Sequence, residues 1–70
     1  MDRFGEKLRT LREGQGLSLR KLAAELGVHN SHVAGIESSR HKPSAELILK
    51  IARFFGVLAD QLMDDELDLE

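Results

Sequence analysis

An all-α fold of five short helices around one core is what this 70-residue sequence predicts, and three observations predict it. Apolar residues recur at helical spacings, three and four apart, in every segment long enough to hold an element. Serines and glycines stand at the expected helix boundaries, where side-chain caps and left-handed turns are needed. There is no alternating strand pattern of useful length, no internal repeat and no low-complexity linker.

Phe4, Leu8 and Leu11 make one apolar stripe, with Asp2 as the expected cap and Gly14 and Gly16 interrupting the pattern. That predicts a first helix over about 3–13. Ser18 is a good N-cap for a short second helix, whose buried side is Leu19, Leu22, Ala23 and Leu26, and Gly27 supplies the backbone freedom to stop it. A third helix over about 30–38 buries Val33 and Ile36, and the polar, basic loop Ser38 to Lys42 leads to Pro43. Ser44 caps a fourth, in which Leu47, Ile48, Ile51, Ala52 and Phe55 form a face for docking on a core, and Gly56 ends it. A last short helix through Leu58, Leu62 and Met63 runs into DDELDLE, whose carboxylates repel one another and are expected to fray. The organisation expected is one domain over 1–70, with its core in 3–63 and an acidic tail over 64–70.

A chain of this size is near the lower limit at which a single apolar core suffices. It has no cysteine, which excludes disulfides and thiolate metal sites. The charged opening lacks the apolar stretch of a signal peptide, and no run of about 18 apolar residues exists to span a bilayer, so the expected location is cytoplasmic. The net charge of −2 hides an asymmetry. Residues 1–42 hold eight Lys/Arg against five Asp/Glu, a balance of +3, and residues 43–70 hold two against seven, a balance of −5. The basic half is the one a polyanion would meet.

The informative segment is LRKLAAELGVHNSHVAGI, residues 19–36. Two helices crossing steeply over a tight turn need a small residue where their backbones approach, which is Ala23. They also need one tolerant of positive φ at the turn, which is Gly27. Leu22, Leu26, Val28, Val33 and Ile36 lock the pair together and leave the other side of the second helix free for a groove. With FGEKLRTLREGQGLS, the Ile36 and Glu37 pair and KPSAELILKIARFFGV, the chain resembles the phage repressor and Cro type of helix-turn-helix domain, the XRE family, over about residues 4–63. The resemblance implies a lambda-repressor-like fold with the helix-turn-helix formed by helices 2 and 3. It implies a sequence-specific, double-stranded-DNA-binding transcriptional regulator, a repressor in type, that needs no cofactor.

Carried onto this sequence, the base-reading positions are Asn30, Ser31 and His32, joined by Ala34. An Asn amide can pair with an adenine edge, Ser31 can donate or accept, and the Ala34 methyl can meet a thymine methyl. Asn30 has a second reading as the cap of its own helix, because His29 stands where the family usually has a Ser or Thr cap. Phosphate contacts are expected from Arg40 and Lys42, from the helix N-terminus at Ser18, and from Arg20 and Lys21. The resemblance also implies a partly buried structural ion pair between Arg12 and Glu37. The chain departs from the family pattern at four further places. Leu19 replaces a phosphate-contacting Gln, and Gly35 stands where a third base-reading side chain often projects. Ser39 replaces a glycine, and Leu58 replaces a serine cap.

A monomer this small makes few base contacts, so a homodimer on a palindromic operator is expected. Val57, Leu58, Leu62, Met63, Leu67 and Leu69 are its candidate interface. Catalysis is not expected. His29, His32 and His41 have no completing partners for a metal motif, and there is no phosphate loop, nucleophile elbow, small-molecule substrate pocket or membrane anchor. The competing reading is a helix-turn-helix module that engages a protein partner, as an antitoxin or adaptor does, with DNA binding subordinate.

Overall fold

The computed structural model describes residues 1–69, and among them five helices form: α1 (Phe4–Gly14), α2 (Leu19–Leu26), α3 (Asn30–Glu37), α4 (Ala45–Phe55) and α5 (Ala59–Met63). No strand occurs among the described residues. The boundaries follow local chemistry. Ser18 and Ser44 sit in extended backbone just before α2 and α4. Their hydroxyls accept the N–H groups of Lys21 and Leu47 at 3.0 and 3.1 Å. Gly27 ends α2 at φ +73°, a left-handed conformation that lets the Val28 N–H reach the Ala23 carbonyl at 3.0 Å.

All five helices contribute to one core. Phe4 and Leu8 enter it from α1, Leu22, Ala23 and Leu26 from α2, Val33 and Ile36 from α3, Leu47, Ile48, Ile51 and Ala52 from α4, and Leu62 from α5. Each fully buried Leu or Ile contributes about 1.5 to 3 kcal/mol by leaving water, against the ordering entropy of the chain. α3 is held between α2 and α1, and α5 packs against both α4 and α1. α3 is therefore supported from two sides.

The two ends of the chain depart from the sequence expectation. Asp2 does not cap α1; Arg3 is the residue at the cap position, and its side chain makes no cap bond. The cap comes from the tail instead. Asp65 Oδ2 accepts the Asp2 N–H and Oδ1 accepts the Arg3 N–H, both at 2.9 Å, and Arg3 Nη1 donates back to the Asp65 carbonyl at 3.0 Å. The amide of Arg3 first, and that of Asp2 next, hold the Asp65 carboxyl below its ordinary range.

The tail, expected to fray over 64–70, is docked through residue 69, with Leu69 packed against the core; Glu70 lies outside the described residues. Lys7, which the sequence reading left without a role, holds the other end of this arrangement. Its side chain is 2 % exposed, and Nζ donates to the carbonyls of Gln61, Asp64 and Leu67 at 2.6, 2.8 and 2.6 Å. An ammonium has three donors, and here each meets a carbonyl at or just beyond the C-terminal end of α5, where a cation is favoured.

Candidate nucleic-acid interface

Val33 and Ile36 are buried, so the helical period turns Ser31 and Ala34 to the opposite side of α3, while Asn30, half-buried, stands at the edge of that side one turn before Ala34. The cap of α3 is His29. Its backbone is extended, its Nδ1 accepts the Ser31 N–H at 3.2 Å, and the same nitrogen lies 2.9 Å from Ser31 Oγ. The alternative in which Asn30 caps the helix is thereby set aside: Asn30 is the first helical residue. Its carboxamide is relieved of capping. The Ser31 hydroxyl, by contrast, is shared with His29.

The loop after α3 is built by a residue in an uncommon conformation. Ser39 has φ +65°, the left-handed region usually left to glycine, so Ser39 keeps the backbone of the residue it replaces in the family pattern. The reversal brings the N–H groups of Arg40 and His41 onto the Gly35 carbonyl, at 2.8 and 3.1 Å. The His41 ring then lies against Gly35. A Cβ at residue 35 would overlap the ring, standing 2.7 Å from Nε2 and closer still to Cδ2. The rings of His41 and His32 have centroids 5.5 Å apart and are inclined by 31°. Gly35, the position where the family often projects a third base-reading side chain, is therefore covered by the loop.

Behind α3, two contacts fix it to α1. Gly5 is so close to the third helix that a Cβ there would overlap the carbonyl oxygens of Ile36 and Glu37, the latter at 2.6 Å. Farther along α1, Arg12 Nε and Nη2 donate to Glu37 Oε2 and Oε1 at 2.7 and 3.1 Å, and Nη1 donates to the Leu17 carbonyl at 2.8 Å. The hydrogen-bonded Glu37 carboxylate is the main reason the Arg12 guanidinium holds its proton even more tightly than usual. Leu19 is half-buried against the core and, with Arg9, Arg12 and Ala34, lines a shallow depression between the helices. It braces by packing, in place of the polar contact a Gln would make.

The cations assigned to phosphate lie on the surface. Arg20, Lys21, Arg40 and Lys42 are exposed, as is Ser18. Lys21 Nζ lies 3.7 Å from Glu25, and Arg40 Nε donates to Ser38 Oγ at 3.2 Å. Such exposed contacts yield readily to a competing anion. Of the residues assigned to self-association, Leu58, Met63 and Leu67 are 69, 40 and 41 % exposed. Val57 and Leu69 are half-buried against the chain's own core. Leu62 is fully enclosed and has no surface to offer a partner, because α5 turns it into the core against α4 and α1.

A sequence model described as helix-turn-helix matches residues 8–62. An uncharacterized HTH-type transcriptional regulator of Methanocaldococcus jannaschii is 38% identical over 63 residues, covering 86% of this chain and 96% of that protein. The HTH-type transcriptional activator BcrR of Enterococcus faecalis is 36% identical over 63 residues, which is 90% of this chain but 31% of the relative. The chain thus spans about a third of that activator's length. Among solved structures, SinR, a master regulator for biofilm formation captured in complex with DNA, superposes with a TM-score of 0.79 at 29% identity, over 87% of this chain and 98% of that one.

Proposed function

Because the chain belongs to the helix-turn-helix family of the phage repressor and Cro (XRE) type, we propose that it is a sequence-specific double-stranded-DNA-binding transcriptional regulator, which lays α3 in a major groove. The observation that carries this reading is the division of labour at the start of α3: His29 caps the helix, and Asn30, at the edge of the outward face one turn before Ala34, keeps a carboxamide free of capping duty. A carboxamide there can make a bidentate pair with an adenine edge, and Ala34 offers a methyl on the same side. Arg20, Lys21, Arg40 and Lys42, with the positive end of α2 at Ser18, would engage phosphates and set the register.

The chain acts as a cytoplasmic repressor by occupying an operator, and it does so as a homodimer. Leu58, Met63 and Leu67 support self-association, since two copies related by a two-fold axis would cover them and would match a palindromic site with half-sites about one helical turn apart. No helix among the described residues is long and apolar enough to cross a membrane.

The test is selection of bound duplexes from a random pool, followed by a salt titration of the winner for wild type, Asn30→Ala and the Arg40→Ala/Lys42→Ala pair. A palindromic site with a steep salt slope is the expected result. Asn30→Ala should relax preference at one base-pair position, and the double variant should weaken all sequences alike and flatten the slope by about two. Absence of enrichment, with weak binding only at low salt, would favour the protein-partner reading instead.

A further inference from the structure

Three features outside the assigned reading surface converge on one place. Gly35 takes away a side chain from the outward part of α3, Ser39 adopts a positive φ, and His41 lies over the gap. Gly35 is one helical turn beyond Ser31 and shares its side of the helix. A group resting on Gly35 therefore stands beside Ser31 and His32, at the edge of the outward face that Ser31 shares with Ala34. Two hydrogen bonds onto the Gly35 carbonyl, from the N–H groups of Arg40 and His41, hold the loop in that position. The imidazole is exposed, so its ring is open to a ligand while its backbone is fixed.

From this geometry we infer that His41 is a specificity-determining residue of the DNA-binding surface, supplying from the loop the side chain that α3 lacks at Gly35. The inference rests on the DNA-binding reading above and extends it to a residue outside the helix. An imidazole N–H placed there donates to a purine edge in the major groove, where guanine offers N7 and O6 and adenine offers N7. His32, with its ring beside that of His41, limits how far the imidazole can swing. Gly35 is then a requirement of the arrangement, because any Cβ at that position expels the ring. Ser39 is the hinge that delivers it.

The experiment compares duplex selection and salt-dependent affinity for wild type, His41→Ala, His41→Asn and Gly35→Ala, all as the full chain. Wild type is measured first: if it selects no sequence, the DNA-binding reading itself has failed, and that failure is separate from the fate of His41. Given a wild-type site, His41→Ala should lose preference at one base-pair position per half-site and bind the best duplex about tenfold more weakly, with the salt slope unchanged. Gly35→Ala, with His41 intact but displaced, should lose preference at the same position, and circular dichroism establishes that it is folded. His41→Asn should recover a preference there, shifted toward adenine. A uniform loss across sequences with a shallower salt slope would make His41 a phosphate contact and overturn the assignment. Unchanged selection in His41→Ala would overturn it as well, and so would a folded Gly35→Ala that keeps the wild-type preference.

Discussion

Lys7 and Asp65 exchange helix caps: the Lys7 ammonium closes the C-terminal end of α5 on three carbonyls, and the Asp65 carboxylate closes the N-terminal end of α1 on two amides. Each helix is finished by a residue belonging to the other end of the chain. The acidic tail is thus a structural part of the fold. Removing the ammonium leaves three part-buried carbonyls without their donor. Lys7→Met, which retains the apolar stem, should cost about 3 kcal/mol in urea unfolding. A loss below about 1 kcal/mol would mean that water replaces the ammonium at little cost.

Asp65 makes part of the stability pH-dependent, with a sign that follows from its hydrogen bonds. Its folded pKa lies below the ordinary value of 3.8, so its contribution is fully present above that value and is lost as pH falls through the folded one. Thermal unfolding from pH 6 down to pH 2 should show wild type losing its advantage over Asp65→Asn on the acid side of about pH 4. Parallel curves over the whole range would separate Asp65 from the acid response.

Arg12 and Glu37 have side chains 12 and 7 % exposed, so each leaves a largely desolvated partner when the other is removed. Glu37→Ala should destabilise by about 3 kcal/mol, and Arg12→Met/Glu37→Leu should recover much of that loss. A double-mutant cycle in denaturant measures the coupling, which should exceed about 1 kcal/mol. Additive single effects would show that the two act separately.

The backbone at Ser39 holds a reserve of stability. At φ +65° a residue with a Cβ is strained, and Ser39→Gly should stabilise the fold by about 1 kcal/mol at unchanged structure. Ser39→Val should destabilise by a similar amount or more, since branching worsens the clash. Chemical denaturation of the two variants gives both signs from one set of curves.

A change at Leu58 tests folding and the proposed self-association separately. It occupies the cap position of α5 in extended backbone, and Gln61 Oε1 already accepts its N–H at 2.9 Å, which leaves the reciprocal cap unmade. Leu58→Ser supplies that acceptor and should raise monomer stability by about 1 kcal/mol. The same change removes the most exposed large apolar side chain of the described residues and should weaken self-association in sedimentation. A variant that is no more stable, or whose sedimentation matches that of wild type, would contradict the respective half of this prediction.

The helices were legible in the sequence because their signals are local: Ser18 and Ser44 act within three residues of themselves, and Gly27 acts on the turn it occupies. What periodicity could not reveal are partners distant in sequence. Lys7 and its three carbonyls are 54 to 60 residues apart, and an acidic run by itself reads as repulsion. Gly5 did carry a usable signal, because a glycine inside a helical stripe next to Phe4 marks a close backbone approach. At the site, the outward positions of Ser31 and Ala34 were readable from the burial of Val33 and Ile36. The relation of His41 to Gly35 was not, since it depends on a loop conformation set by a serine where glycine would be the natural signal. Leu62 was ambiguous for a different reason: five residues of helix are too few to define which face is inward.

The mounting of α3 has a consequence for how such a protein can change over time. Gly5 grips the third helix at the Ile36 and Glu37 carbonyls, and Arg12 grips it at the Glu37 carboxylate, both away from Asn30 and Ser31 at its start. Aim and content are therefore carried by different residues. If α3 reads DNA as proposed, exchanging Asn30 or Ser31 would rewrite what the surface prefers while the angle at which it is presented stays the same. A lineage can drift from one target to another, and an engineer can do likewise, on an unaltered chassis.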